Sequence, residues 1–333
     1  MSAPGPLTFR LLRLLADGEF HSGEELARRL RVSRSTVWKA LHAVQDWGVT
    51  LFKVNGRGYR LVTPVDWLDA QLVCGHLGQA AECMRIEIVD AVDSTNTLLL
   101  RRALTGEPGG LAVAAELQTH GRGRRGRPWH AGLGSGLTFS LLWRFEQGVG
   151  ALGGLSLAVS VAVLRALREL GADEIGLKWP NDLLWRHQKL AGILIELEGD
   201  AMGPSVAVIG IGVNVVLPSE VRNRIDQAVC DLAGMGLRVE RNRLLGRILA
   251  HLVQVLEVFA TGGFAPMRLE WERAHALAGR ELMVALPDGG GETGLAAGVG
   301  DDGALLLETR SGLRRLYSGE VSVRPLQPDL RSA

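Results

Sequence analysis

The stretch Gln118-Thr119-His120-Gly121-Arg122-Gly123-Arg124-Arg125-Gly126-Arg127-Pro128-Trp129 places four arginines among three glycines. It lies between two apolar runs that read as strands, Leu111 to Leu117 and Gly136 to Trp143. Ordering so many glycines costs backbone entropy, and the arginines repel one another. Both costs fall when a polyanion binds. Gly121-x-Gly123-x-x-Gly126 formally matches a dinucleotide fingerprint, but the glycines open no helix, Pro128 follows, and no βαβ unit surrounds them. An RGG-like nucleic-acid tail would lie in a low-complexity segment, whereas strands flank this loop. The pattern predicts a phosphate cradle, in which each guanidinium fork takes two oxygens.

A chain of 333 residues allows two or three domains. With 47% hydrophobic and 22% charged residues it should build a packed core. No apolar run is expected to reach the length of a membrane span, and no membrane partner is expected. Arg10 and Arg13 interrupt the N-terminal leucines, against a signal peptide. Cys74, Cys83 and Cys230 are odd in number and lack metal-ligand spacing, so reduced thiols in a cytoplasmic protein are expected. Residues 1–63 hold 10 Lys+Arg against 5 Asp+Glu, a balance of +5, and the remainder holds 27 against 31, or −4. A basic head on a mildly acidic body points to nucleic acid as the partner of the head.

Within that head, Leu7 to Ala16 has helical apolar spacing. Ser22-Gly23-Glu24-Glu25 reads as a reciprocal capping box opening a helix through Leu30. Ser33 caps a third helix expected to run to Trp47, with Val37, Leu41 and Val44 on one face. The other face offers Arg34, Ser35, Thr36, Trp38, Lys39 and His42, donors suited to phosphates and base edges. Asn55-Gly56 between alternating runs predicts a hairpin over residues 51–62 carrying Lys53, Arg57 and Arg60. Together these predict a winged helix-turn-helix with Ser33, Arg34, Ser35, Thr36, Lys39, His42 and Arg57 toward DNA. A small protein-interaction domain is the alternative, and Trp38 can equally pack on the wing.

After a short linker, Asp66 to Leu77 reads as a helix. Ile86 to Ala91 reads as a strand, followed by Asp93-Ser94-Thr95-Asn96 at the mouth of a helix to Leu104. Such a turn suits a neutral polar head such as a urea or amide, or serves only as an N-cap. Leu152 to Leu170 reads as a core helix. Lys178-Trp179-Pro180-Asn181-Asp182 bends the chain at a polar cluster. Residues 183–185 and 189–197 read as a hairpin, with Lys189 entering an apolar strand. That lysine is either an edge-strand charge or a functional cation, and Gly192 permits close backbone approach by a ligand. Val206 to Val216 carries Gly210, Gly212 and Asn214, and its glycine gaps suit a planar ring. Residues 219–230 read as a polar flap, 241–259 as a long helix and 264–277 as another. From Glu281 short β-like runs (281–286, 304–309, 313–317 and 320–324) alternate with turns, one of them Pro287-Asp288-Gly289. That texture predicts a small SH3-like barrel. The expected domains are 1–63, 66–278 and 279–333.

The order and spacing of these motifs resemble the bifunctional biotin protein ligase and biotin operon repressor family over nearly the whole chain. They are Gly18-Glu19-Phe20-His21-Ser22-Gly23-Glu24, Asp93 to Asn96, Gly121 to Arg127, Lys178 to Asp182, Lys189-Leu190-Ala191-Gly192-Ile193 and Gly210-Ile211-Gly212-Val213-Asn214. The resemblance implies an α+β multidomain fold whose central α/β mixed-sheet domain is class II synthetase-like. It implies two steps: biotin and ATP give biotinyl-5′-adenylate and pyrophosphate, and the adenylate biotinylates a lysine of a biotin carboxyl carrier protein. Biotin would then meet Ser94, Thr95, Asn96, Gln118, Arg122, Gly123, Arg124 and Lys189. The nucleotide would meet Arg124, Arg125, Lys178, Asn181, Asp182 and Asn214. Lys189, Arg122, Arg124 and Asp182 would carry catalysis; because the second step needs a neutral acceptor amine, Asp182 is the residue expected to orient or deprotonate it. The arginine loop would order over the ligand, Mg²⁺ would accompany ATP, and the adenylate-bound homodimer would bind operator DNA. Two departures stand out. The flap lacks a Trp to cover adenine, leaving Val215 or Ile225 for that place, and Thr119 and His120 replace smaller or more neutral residues. A ligand-responsive transcription factor without ligase activity and a lipoyl or octanoyl ligase are the competing readings.

Overall fold

The computed structural model describes residues 4–285, 290–317 and 322–326. The head consists of α1 (Pro6–Leu14), α2 (Gly23–Leu30), α3 (Arg34–His42) and the hairpin β1 (Leu51–Val54) and β2 (Gly58–Leu61). Ser22 Oγ accepts from the Glu25 amide at 3.0 Å, but the Glu25 carboxylate pairs with Arg29 at 2.6 Å instead of reaching back. Half of the expected capping box therefore forms. Ser33 caps α3 through the Thr36 amide at 3.1 Å. The helix stops at His42, short of the expected Trp47, and residues 45–47 make a separate 3₁₀ turn closed by left-handed Gly48. Val37, Leu41 and Val44 are buried as their spacing requires. Leu117 and Leu133 of the body join Phe9, Leu12 and Leu26 in the same apolar cluster, so the head is packed onto the body.

The expected helix over 66–77 contracts to α4 (Ala70–Cys74). Long-range bonds hold residues 66–69 out of it. Arg241 donates from its amide to Asp66 Oδ2 (2.7 Å) and from Nη1 to the Asp66 carbonyl (2.6 Å). Asn242 takes the Asp69 amide at 2.8 Å and donates to the Trp67 carbonyl at 2.9 Å. Asp69 then caps α4.

The body is built from β3 (Arg85–Val92), α5 (Thr95–Leu104), β4 (Leu111–Gln118), β5 (Leu137–Phe145), α6 (Leu155–Glu169), β6 (Ile175–Lys178), β7 (Asp182–Trp185), β8 (Gln188–Gly199), β9 (Ser205–Val213), α7 (Ser219–Arg222), α8 (Arg241–Gly262) and α9 (Arg268–Arg273). Its seven-stranded sheet runs β3-β4-β5-β9-β8-β7-β6, parallel only between β3 and β4. Alternation along the strands divides the sheet. Ala112, Ala114, Phe139 and Ile211 join the large core with α6 and α8, while Leu111, Val113, Leu142 and Val208 pack with Leu99 of α5. By length and composition α8 is able to cross a membrane, contrary to the expectation that no run reaches that length, but 61% of its apolar window is buried inside the protein. The expected helix over 264–277 is reduced to a 3₁₀ turn and α9. The edge of β6 captures residues 274–276, with the Leu177 amide on the Ala274 carbonyl (2.7 Å) and the Ala276 amide on the Leu177 carbonyl (2.9 Å).

At the C-terminus β10 (Glu281–Ala285), β11 (Gly291–Val299), β12 (Leu305–Thr309), β13 (Gly312–Leu316) and β14 (Ser322–Pro325) form an antiparallel sheet in the order β13-β12-β11-β10-β14. β11 was not among the expected strands: its Gly- and Ala-rich sequence carries little β signal. The expected turn at 287–289 lies outside the described residues.

Arg241 and Glu116, each 2% exposed, pair at 2.8 Å beneath the linker. Removing one partner strands the other charge in the core. Arg241→Met is expected to lower unfolding stability by about 3–5 kcal/mol, measured by urea denaturation.

Candidate active site

The described residues enclose a cavity of about 670 Å³ above the β4-β5-β9-β8 part of the sheet. Every expected biotin- or nucleotide-binding residue lines it except Asn214. Asn214 Nδ2 donates to the Lys189 carbonyl (3.3 Å) and the Cys230 carbonyl (2.9 Å), so it braces the backbone behind the cavity.

At one end lies a polar chain. Gln118 Oε1 accepts from the Thr95 amide (2.8 Å) and lies 3.1 Å from Thr95 Oγ1. Thr95 Oγ1 is 2.6 Å from Ser140 Oγ, which is 2.5 Å from Asn96 Oδ1. Asn96 Nδ2 donates to Glu196 Oε2 at 2.7 Å and to the Leu194 carbonyl at 3.3 Å. Two hydroxyl protons must serve three contacts whose outer ends are both acceptors. An N–H donor arriving at Asn96 Oδ1 relieves that shortage. Ser94 is the N-cap of α5 and lines the cavity, but its side chain makes no capping bond. These groups suit a buried neutral head with N–H and C=O groups side by side.

The glycine gaps are filled by the protein itself. A methyl group at Gly212 would overlap the Trp129 indole, one at Gly192 would crowd both that ring and the Lys189 side chain, and one at Gly210 would overlap the Asn96 amide. The planar ring expected over these strands is therefore that of Trp129. Its Nε1 is buried with no acceptor among the described residues.

The other end is cationic. Arg122, Arg124, Arg125, Arg127, Lys178, Lys189 and Arg224 line the cavity, against the carboxylates Asp182 and Asp226. Lys189 sits on β8 between β7 and β9, which removes the edge-strand reading, and its Nζ pairs with Asp182 Oδ1 at 2.7 Å. Arg124 Nη1 lies 3.5 Å from Asn181 Oδ1. Burial lowers the Arg124 pKa from its ordinary value, opposed by Asp182 and aided by Arg125 and Arg127. A bound anion would oppose that desolvation. Burial, then Arg224, also lowers the pKa of His130, opposed by Asp226. Arg122 donates to both Glu196 oxygens and to Thr97 Oγ1, each at 3.1 Å.

The arginine loop folds back on itself: the Gly123 amide meets the Arg127 carbonyl (2.7 Å) and the Trp129 amide meets the Gly121 carbonyl (2.8 Å). Arg125 and Gly126 make the turn in the left-handed region, with φ of 58° and 70°. Thr119 and His120 extend the pairing of β4 with β3, donating to the carbonyls of Val92 and Asp93 at 2.9 Å each. That backbone role does not depend on their side chains. The Trp179–Pro180 bond is cis, the Trp179 Nε1 donates to the Gly303 carbonyl at 3.0 Å, and Asn181 is held on the Ile193 carbonyl at 2.6 Å. In the flap, Ile225 lines the cavity but Val215 is in the large core, which leaves Ile225 of the two residues expected near adenine.

On the head, Arg34, Ser35, Lys39 and His42 are exposed, and Thr36 is half-buried. Trp38 is exposed and stacks on His42 at 5.1 Å between ring centroids, not on the wing. Ser33 Oγ bonds Ser35 Oγ (2.7 Å) and Thr36 Oγ1 (2.8 Å). Arg57 lies over the Phe20 ring at 4.4 Å.

Sequence reasoning missed Trp129, Ser140 and Glu196. Ser140 and Glu196 are polar residues within apolar strand runs, which is the signal available for them.

The biotin/lipoate A/B protein ligase family matches residues 88–214, a helix-turn-helix domain family matches 8–60, and the biotin protein ligase C-terminal domain family matches 283–324. The chain is 38% identical over 316 residues to the bifunctional ligase/repressor BirA of Escherichia coli, covering 95% of this chain and 96% of that protein. It is 34% identical over 269 residues to the biotin–[acetyl-CoA-carboxylase] ligase of Mycobacterium tuberculosis, covering 79% of this chain and 97% of that one. Among solved structures, the biotin protein ligase of Aquifex aeolicus in complex with biotin and ATP superposes with a TM-score of 0.62 at 30% identity. That match covers 72% of this chain and 99% of the other.

Gly212→Ala should displace the Trp129 indole and weaken ligand binding by about tenfold or more, read by isothermal titration, since overpacking costs about 1–3 kcal/mol.

Proposed function

The chain belongs to the bifunctional ligase/repressor family, and from that premise we propose that it is a biotin–protein ligase that also represses transcription. It joins biotin to ATP as biotinyl-5′-adenylate and transfers the biotinyl group to a lysine of the biotin carboxyl carrier protein of acetyl-CoA carboxylase. Its adenylate-bound homodimer binds the operator of biotin-synthesis genes through the head. The observation that carries this reading is the single cavity joining a urea-sized polar chain to a cluster of cations. Its volume lies in the range of small-molecule sites.

In this reading Asn96, Thr95, Ser94 and Gln118 hold the ureido head. The biotin carboxylate oxygen attacks the α-phosphorus and pyrophosphate leaves. The attack brings two anions together and the leaving pyrophosphate develops further negative charge, and fixed cations lower that barrier. Lys189 exchanges Asp182 for the carboxylate and α-phosphate. Arg122, Gly123 and Arg124 cover the adenylate and exclude water. Arg124, Arg125, Lys178, Asn181 and Asp182 face the nucleotide, with Ile225 in place of the missing aromatic. Asp182, released by Lys189, orients or deprotonates the acceptor amine, which attacks the acyl carbon and expels AMP. Mg²⁺ accompanies ATP. Among the described residues the lining carboxylates are Asp182 and Asp226, which would leave most of the metal's ligands to come from the nucleotide.

The domain limits 1–63, 66–278 and 279–333, a class II synthetase-like body, an SH3-like C-terminal barrel and a cytoplasmic location belong to the same proposal. So does DNA contact through Ser33, Arg34, Ser35, Thr36, Lys39, His42 and Arg57.

Incubation with labelled biotin, ATP and a carrier domain should label the carrier; no transfer would overturn the ligase reading. Lys189→Ala should cut pyrophosphate release by about 10²–10³-fold with the fold intact by circular dichroism. Arg124→Gly should release free adenylate and raise biotinylation of bystander proteins; unchanged leakage would remove the loop from that role. A gel shift on DNA upstream of biotin-synthesis genes should appear only with biotin and ATP.

A further inference from the structure

We propose that Glu196 is the specificity-determining positioning residue of this site: its carboxylate fixes which way the Asn96 amide points and tethers Arg122. Recognition of the ligand head and the root of the arginine loop then share one anchor. The first half rests on the biotin-ligase reading; the second does not.

An asparagine amide beside a hydroxyl has no inherent direction, because Ser140 can donate to Oδ1 or accept from Nδ2. A carboxylate at Glu196 only accepts. At 2.7 Å it is the nearer and the charged one of two acceptors, with the Leu194 carbonyl at 3.3 Å, that set Nδ2 toward β8 and Oδ1 toward Ser140. Gly210 leaves room for that oxygen, and both residues line the cavity. Oδ1 is thereby presented as an acceptor for a ligand N–H. With the amide reversed, an N–H would face the ligand's N–H and the head would be rejected. The same carboxylate receives Arg122 Nη2 at 3.1 Å on each oxygen. This contact draws the first turn of the loop onto the head-group end of the cavity, beside Thr97 of α5.

Glu196→Gln keeps an oxygen for Asn96 but loses the charge that holds Arg122. Glu196→Leu loses both. Glu198→Gln, an exposed acid two residues along β8, is the control. Binding of biotin without ATP, by isothermal titration, should weaken about tenfold or more in E196L and about threefold or less in E196Q, given the strength of hydrogen bonds to charged groups. E196L should raise the biotin KM far more than it lowers kcat. Trypsin nicking within residues 122–127 of the unliganded protein should quicken severalfold in both variants and not in E198Q. Unaltered biotin affinity in E196L, or equal loss in E196L and E196Q, overturns the orienting role. Unaltered nicking in E196Q overturns the tether. If the wild-type protein itself fails to bind biotin, the ligase reading falls, and the nicking result still decides the tether.

Discussion

A guanidinium buried to 2% exposure is tolerable only where acceptors surround it, and Arg241 finds them in Glu116, the Asp66 carbonyl and the Gly136 carbonyl. Glu116 in turn accepts from the Leu68 amide at 2.7 Å. One ion pair thus fastens the start of α8, the linker, β4 and the entry to β5. The next two residues of β4 extend the consequence. Leu117 belongs to the apolar cluster of the head, and Gln118 receives Thr95 at the ligand cavity. Three successive positions on one strand set the long core helix, the seat of the head and the polar end of the site.

Key cations of that site already rest on oxygens of the protein. Lys189 rests on Asp182, Arg122 on Glu196, and Arg124 lies near Asn181. Such pairs prevent several positive charges from repelling one another in a partly desolvated cavity. Each partner offers oxygens, and so do a carboxylate and a phosphate. Ligand binding then becomes an exchange of one oxygen for another, with the side chains close to their working positions. The loop backbone shares this character: its glycines permit the turn at Arg125 and Gly126, and its own amide bonds hold the hairpin.

Local chemistry was legible in the sequence where it acts locally. The Ser22 and Ser33 caps, the Asn-Gly hairpin, the core helix α6 and the strands flanking the arginine loop all follow from spacing and short-range bonds. The β7-β8 hairpin was legible too, although its two turn residues, Arg186 and His187, adopt positive φ without glycine. What was not legible depends on partners distant in sequence. Residues 66–69 leave the helix for Arg241 and Asn242, and residues 274–276 leave it for β6. In the site, the motif residues line one cavity, but the glycine gaps at 210 and 212 that suit a planar ring do not name Trp129 as its source. A periodic pattern shows that a gap exists and does not say which side chain fills it. Asn214 lies outside the cavity lining for a related reason: Gly210, Ile211 and Gly212 of its motif line the cavity, while its own Nδ2 donates to two carbonyls behind it.

The seat of the head bears on how a ligand could be felt there. The segment from Leu217 to Asp231 is tied at both ends by Asp231, which accepts from the Leu217 amide (3.0 Å) and pairs with Arg222 (2.6 Å). On one side Ile225, Asp226 and Gln227 of this segment line the cavity. On the other, Arg224 donates to the Asp46 carbonyl of the head at 3.0 Å, and Pro218 and Val221 lie against Gly48. Trp47, between those contacts, accepts from the Leu133 amide at 2.9 Å. A short segment clamped at its base and touching both surfaces gives a contiguous packed route between them, and close-packed side chains transmit strain. Any ligand that moves residues 225–227 must carry the Arg224–Asp46 contact with it or break it. The fold therefore joins the cavity wall at residues 225–227 to the helix-turn-helix through one segment, Leu217 to Asp231.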